Sequence, residues 1–151
     1  MRIQGKLRGE REEGSTLVEF ALVGFSFIIL LLSVVEMGRM LLVYTTIANA
    51  ARAGSRYAIV HGGERTGSGI DGPSGPSCPC TQIDKVVKSF ASAGLVTASN
   101  LNITVEYPDG TNTAGSRVRV TVTYLYDPMI GFFSSMLGTT IGTVSEGVVT
   151  F

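Results

Sequence analysis

Tryptophan is absent from the chain, and histidine occurs once in 151 residues. Only two cysteines are present. One imidazole and two thiols leave little material for a metal centre or a redox enzyme. Charged residues make up 16% of the chain, below the usual share of about a quarter. Lys plus Arg equals Asp plus Glu, so the formal net charge is zero. A nucleic-acid-binding surface would show as a basic excess, and none exists here. No Walker A sequence, H-E-x-x-H or G-x-S-x-G elbow occurs. The acidic residues beyond the N-terminal segment are scattered, and no spacing pairs them into a catalytic dyad. The expectation is a non-enzymatic protein with no cofactor, no metal and no nucleic-acid partner.

What the chain does have is a long apolar run. Residues 1–14 are polar and carry Arg2, Lys6, Arg8 and Arg11 against Glu10, Glu12 and Glu13. With almost nothing apolar to bury, this segment is expected to be unstructured. From Phe20 to Val35 there is no charge at all. As a helix that stretch rises about 24 Å, and counting from Ser15 gives about 31 Å, the thickness of a hydrocarbon core. The apolar residues go all the way round, so the remaining domain is too small to enclose them. A secretory signal would need a cleavage site soon after the run, and the only A-x-A match, Ala48-Asn49-Ala50, lies far beyond it. A single membrane span remains, with a plain anchor as the alternative to a specialised one. Basic residues before the span place the N-terminus in the cytoplasm and the rest of the chain outside.

Glu19 is the one charge between Ser15 and Val35. A carboxylate in a span is costly unless it serves a function or sits at headgroup level. Its context is Gly14-Ser15-Thr16-Leu17-Val18-Glu19-Phe20. A charged leader ends in Gly, the apolar helix begins at the next residue, and Glu is its fifth. This resembles the class III signal of type IV pilin-like proteins, and Glu19-Phe20 is similar to the Glu-aromatic pair of the Flp and Tad branch. Glu36-Met37-Gly38-Arg39 and the stretch Asn49 to Ala58 resemble the TadE-like family, whose members are minor pseudopilins of the tight-adherence pilus.

The resemblance implies cleavage after Gly14 by prepilin peptidase, with the helix retained in the bacterial inner membrane. It implies other pseudopilins, the Flp pilin, the inner-membrane assembly platform and membrane lipid as partners. Cleavage would leave an α-amino group on Ser15, mostly protonated at neutral pH. Ser15 and Glu19 are one turn apart on one face, about 6 Å along the axis. Glu19 would then pair with its own N-terminus or a neighbour's, and such pairing would set subunit register. A fibre-forming pilin is a rival, although major Flp pilins are short and lack an outer domain. An unprocessed single-span protein with a binding outer domain is another.

Helical period persists to about Val60, through Met37, Met40, Leu41, Tyr44, Ile47, Ala48, Ala51, Gly54, Ser55 and Ala58. Glu36, Arg39, Asn49, Arg52 and Arg56 occupy the other positions. Residues 15–60 are therefore expected to form one transmembrane and then amphipathic helix. Ala50, Gly54 and Ala58 form a small-xxx-small row, suited to close packing on the chain's own outer domain or on a partner pseudopilin.

Residues 61–80 are rich in Gly and Pro and read as a loop. Its Gly67-Ser68-Gly69-Ile70-Asp71-Gly72 lacks the flanking strand and helix that a dinucleotide site needs. Cys78-Pro79-Cys80 closes only a very small ring if bridged, while a bond between subunits and two free thiols are the alternatives.

Residues 81–151 are expected to form a small extracytoplasmic domain. Thr81 caps a helix running to Ala93, with Ile83, Val86, Val87, Phe90 and Ala91 on one face and Gly94 as the stop. Asn102–Tyr107, Arg117–Tyr126 and Thr140–Phe151 read as strands, and Pro108-Asp109-Gly110 as a turn. Met129-Ile130-Gly131-Phe132-Phe133 is apolar, either core or a partner surface. The fold class is α+β: a long N-terminal helix packed on a small antiparallel sheet with one or two short helices.

Overall fold

The computed structural model describes residues 4–63, 80–94, 96–129, 131 and 140–150, with side chains from Gly14 onward. Helix α1 runs from Gln4 to Val60, 57 residues without a break. It starts well before Ser15, so the expectation of an unstructured leader is corrected. Gln, Lys, Arg, Leu and Glu between residues 4 and 13 are good helix formers. Extending an existing helix needs no new nucleus, so these residues add turns at little cost.

The chain divides into two compact units, Met1–Gly38 and Arg39–Phe151. The first is the inner part of α1. Its Leu17, Phe20, Phe25, Ile28 and Val35 are all more than half exposed. The Ser26 and Ser33 hydroxyls donate back to the carbonyls of Leu22 and Ile29, 2.9 and 2.8 Å away. Every polar atom of such a helix must find its partner within the segment if lipid surrounds it.

The second unit is a two-layer α+β domain. Helix α2 (Thr81–Ser92) and the outer part of α1 cover one face of a three-stranded antiparallel sheet. Its strands are β1 (Leu101–Glu106), β2 (Arg117–Leu125) and β3 (Thr140–Val148), in that order. The strand limits fall within a few residues of those expected from alternation. Val118, Val120, Val122 and Tyr124 of β2 point into the core. Arg119 faces outward, where its Nε donates to Glu146 and its Nη1 lies 4.0 Å from Glu106, its neighbours on β3 and β1. The expected turn forms: the Gly110 N–H donates to the Tyr107 carbonyl at 3.0 Å, with Pro108 second and Gly110 at φ 73°.

The core stripe of α1 is Val43, Ile47, Ala50, Ala51, Gly54, Ser55 and Ala58. The expected stripe agrees with it from Ile47 outward. Leu41 and Tyr44 face outward, at 64% and 48% exposure, and Val43 takes the inner position. The row Ala50, Gly54 and Ala58 lies inside the domain, where a Cβ added to Gly54 would stand 2.5 Å from Val87 Cγ2 and 3.4 Å from Val120 Cγ1. Small side chains here let α2 and the sheet approach the helix backbone. The Ser55 hydroxyl, buried among them, lies 2.8 Å from that of Ser145 on β3.

Cys80, not Thr81, is the N-cap of α2, and its side chain makes no cap hydrogen bond; its carbonyl accepts from the Asp84 N–H at 3.0 Å. Phe90 is 54% exposed, because burial follows Ile83, Val87 and Ala91 alone. Gly94 is required by proximity: a Cβ there would overlap the Thr46 side chain on α1.

Two predictions follow from this packing. Gly54→Ala should destabilise the outer unit by about 1–3 kcal/mol, the usual cost of overpacking, despite alanine's better helix propensity. Gly38→Ala, with nothing within 4 Å of the added Cβ, should not. Denaturant titration of the detergent-solubilised full chain, followed by circular dichroism, compares them.

The second concerns Asp109, whose carboxylate accepts from the Arg117 guanidinium and backbone N–H, both at 2.7 Å. These bonds hold its pKa below the ordinary 3.8. A carboxyl with a lowered folded pKa contributes stability above its unfolded value. That contribution is lost as pH falls through the folded value. The stability gap between wild type and Asp109→Asn should therefore be present at neutral pH and close below about pH 3.8. High salt should narrow it, since both groups are exposed.

Candidate functional site: the N-terminal helix and its carboxylate

Gly14, Ser15, Val18, Glu19, Leu22 and Val23 line one shallow, open depression on the face of α1. They fall at i and i+4 spacing, so one face of two turns carries them. Gly14 and Ser15 are small, and this leaves a notch beside the Glu19 side chain. Leu17, Val18 and Phe20 around it are 70%, 67% and 78% exposed. A lone carboxylate in so apolar a surface has a high cost in lipid until a cation meets it. The arrangement can bind a cationic group; it holds no general acid–base pair.

Beyond Gly38 the same helix becomes part of a protein core. Arg39 was expected on a polar face. It is half-buried: its Nη2 donates to the Asp127 carbonyl at 2.7 Å, and its guanidinium stacks 5.0 Å from the Tyr126 ring centroid. Glu36, also expected on that face, is 2% exposed. No spacing rule foresaw the Arg39 contacts, because Tyr126 and Asp127 lie far away in sequence. Arg52 and Arg56 are exposed.

At the end of α1 the His61 Nδ1–H donates to the Tyr57 carbonyl at 2.8 Å, and the two rings stack at 3.8 Å. The single imidazole thus closes the helix end, where orphan carbonyls need donors. Cys80 is buried and disulfide-bonded. Cys78 and the glycine-rich motif lie outside the described residues, as do Ile130, Phe132 and Phe133. Met129 is 83% exposed and is not core. Burial alternates from Tyr124 through Met129, so residue 129 continues the outward face of β2 past its end. Among the described residues no cluster of His, Cys, Asp or Glu could hold a metal ion.

The fold and site together define a small α+β domain carried on a helix long and apolar enough to cross a membrane, compatible with a single-pass membrane protein. Residues 14–56 match the family model described as TadE-like protein. The matched segment begins at Gly14 and covers the apolar run, Glu19, Arg39 and, of the small-residue row, Ala50 and Gly54. No curated protein and no solved structure matches the chain.

Proposed function

We propose that the chain is a minor pseudopilin of a Tad-type pilus, contributing to assembly or priming rather than to catalysis. The TadE-like match over residues 14–56 supports the association with that machinery. In this reading the N-terminus is cytoplasmic, prepilin peptidase cuts after Gly14, and the outer domain lies beyond the inner membrane. Other pseudopilins, the Flp pilin and the assembly platform are its partners.

The observation that carries the reading is the face shared by Gly14, Ser15 and Glu19 on an otherwise apolar, exposed helix. Cleavage puts a charged amino group one turn from Glu19. Two buried opposite charges in lipid offset much of each other's desolvation, whereas either alone does not. A subunit would therefore gain most where its Glu19 meets an N-terminus, its own or a neighbour's. The unprocessed single-span reading has one observation in its favour: α1 passes through Gly14 and Ser15 without a break.

N-terminal sequencing of the membrane-bound protein separates the two. With cognate peptidase the expected product begins at Ser15, and Gly14→Ala should abolish it. An intact leader in both, beside a control pilin that is cut, would sink the pseudopilin reading. If processing occurs, Glu19→Gln should leave cleavage intact while lowering co-purification with partner pseudopilins several-fold.

A further inference from the structure

The sequence contains two Asp-Gly pairs, Asp71-Gly72 and Asp109-Gly110, and only the second lies among the described residues. Asp-Gly is the peptide link most open to spontaneous isomerisation. The glycine nitrogen attacks the side-chain carboxyl carbon of the aspartate. An N–C bond forms, and the carboxyl hydroxyl leaves with the amide proton as water. Water then opens the cyclic imide at either carbonyl. Opening at the α-carbonyl leaves the chain running through the side chain, one carbon longer and unchanged in mass. Glycine favours the reaction because no side chain obstructs the approach.

The segment between β1 and β2 sets up this reaction and also blocks it. Gly110 sits at φ 73° with nothing within 4 Å of a Cβ built there, so no neighbour crowds the link. Solvent reaches it, since the Asp109 side chain is 36% exposed. Both reacting groups, however, are engaged. The Gly110 N–H donates to the Tyr107 carbonyl at 3.0 Å. Asp109 Oδ2 accepts from the Arg117 backbone N–H and Oδ1 from Arg117 Nη2, both at 2.7 Å. Arg117 Nε adds bonds of 3.2 and 3.3 Å to the same two oxygens. These bonds favour the ionised carboxylate, which is a poorer electrophile than the acid. The rest of the segment is anchored too. The Gly63 N–H donates to the Asn112 carbonyl at 3.0 Å, the Gly115 N–H donates to the Val149 carbonyl at 2.8 Å, and the Thr111 and Ser116 hydroxyls lie 2.7 Å apart.

We propose that Asp109-Gly110 is a guarded isomerisation site and that Arg117 is its guard. Held on both oxygens, the carboxyl group cannot rotate to close on the Gly110 nitrogen. When the clasp opens, the link becomes reactive. After isomerisation the free carboxylate is the α-carboxylate and no longer the side chain's, so the clasp with Arg117 does not re-form. The change is therefore one-way, and it accumulates with the time the clasp has spent open. It lengthens the segment that leads into β2, whose Val118, Val120 and Val122 are fully buried.

The test compares the full chain in detergent as wild type, Arg117→Gln and Arg119→Gln, with a synthetic peptide of residues 107–111 as the unguarded reference. Arg119→Gln removes the same charge from the same strand, but its partners are Glu146 and Glu106. All are held at neutral pH for weeks. Digestion with a glutamate-specific protease separates the Asp109 fragment from the Asp71 fragment, and electron-transfer fragmentation then reads isoaspartate at each. Wild type and Arg119→Gln should accumulate isoaspartate at position 109 many-fold more slowly than the peptide, and Arg117→Gln several-fold faster than either protein. The proposal is overturned if wild type keeps pace with the peptide, a comparison that needs no variant to fold. It is also overturned if Arg117→Gln stays as slow as wild type. An equal acceleration in Arg119→Gln would overturn it as well, by showing that loosening the strand is enough.

Discussion

An α-helix satisfies its own backbone, and that property would allow one element to serve in lipid and in a protein core without interruption. A strand or loop leaving the membrane at residue 38 would expose peptide groups to hydrocarbon on one side of the boundary. Helix α1 avoids this by running from Gln4 to Val60. Only its side chains change character along the way. Inside, large aliphatic and aromatic residues go all round and the serines bond to their own turn. Outside, the stripe narrows to Ala, Gly and Ser, and the rest of the domain is built onto it.

That narrowing determines the domain's architecture. With Ala50, Ala51, Gly54 and Ala58 fully buried or nearly so, the helix presents a shallow channel instead of a ridge. Val87 and Ile83 of α2 and Val120 of β2 fill it, meeting at Gly54. The sheet then has one covered face, and its other face carries Thr104, Thr121, Thr123 and the charges around Arg119. A three-stranded sheet with a single helix behind it would have a thin core, and the second helix thickens it.

Most of this was legible in the sequence where two signals agreed. Strand β2 alternates cleanly and stops at Leu125, just ahead of Asp127-Pro128, and the turn before it has Pro, Asp and Gly in order. The apolar run needed only length and absence of charge. The stripe of α1 was legible from Ile47 outward, where small residues contrast with Asn49, Arg52 and Arg56. It failed between Met37 and Tyr44 because Met40, Leu41, Leu42, Val43 and Tyr44 are apolar on every side, and a period carries no direction without polar contrast. Arg39 failed for another reason: a charge on an apolar stripe looks like solvent exposure until its partner, 88 residues on, is known. The helical leader failed because composition alone argued for disorder, whereas a neighbouring helix supplies the nucleus such a segment lacks.

The candidate site was legible as a motif and not as a surface. Gly14, Ser15, Glu19 and Phe20 announce themselves by spacing, but their meaning depends on what surrounds them. Had the small-residue row at Ala50 to Ala58 been outward, it would have offered a partner a place to dock. Its burial against α2 and β2 removes that option unless the outer domain opens. Among the described residues, a second subunit in the proposed assembly would find the apolar helix, the outward sheet face, the exposed residues of α1 near Tyr44 and the exposed face of α2. The apolar helix sets its carboxylate, Glu19, among exposed aliphatic and aromatic side chains. Association in lipid gains little from apolar contact, since the alternative neighbour is equally apolar. A charge that needs a partner therefore supplies the direction that packing cannot. This is why Glu19, and not the longer aliphatic surface around it, is the residue on which an ordered assembly would turn.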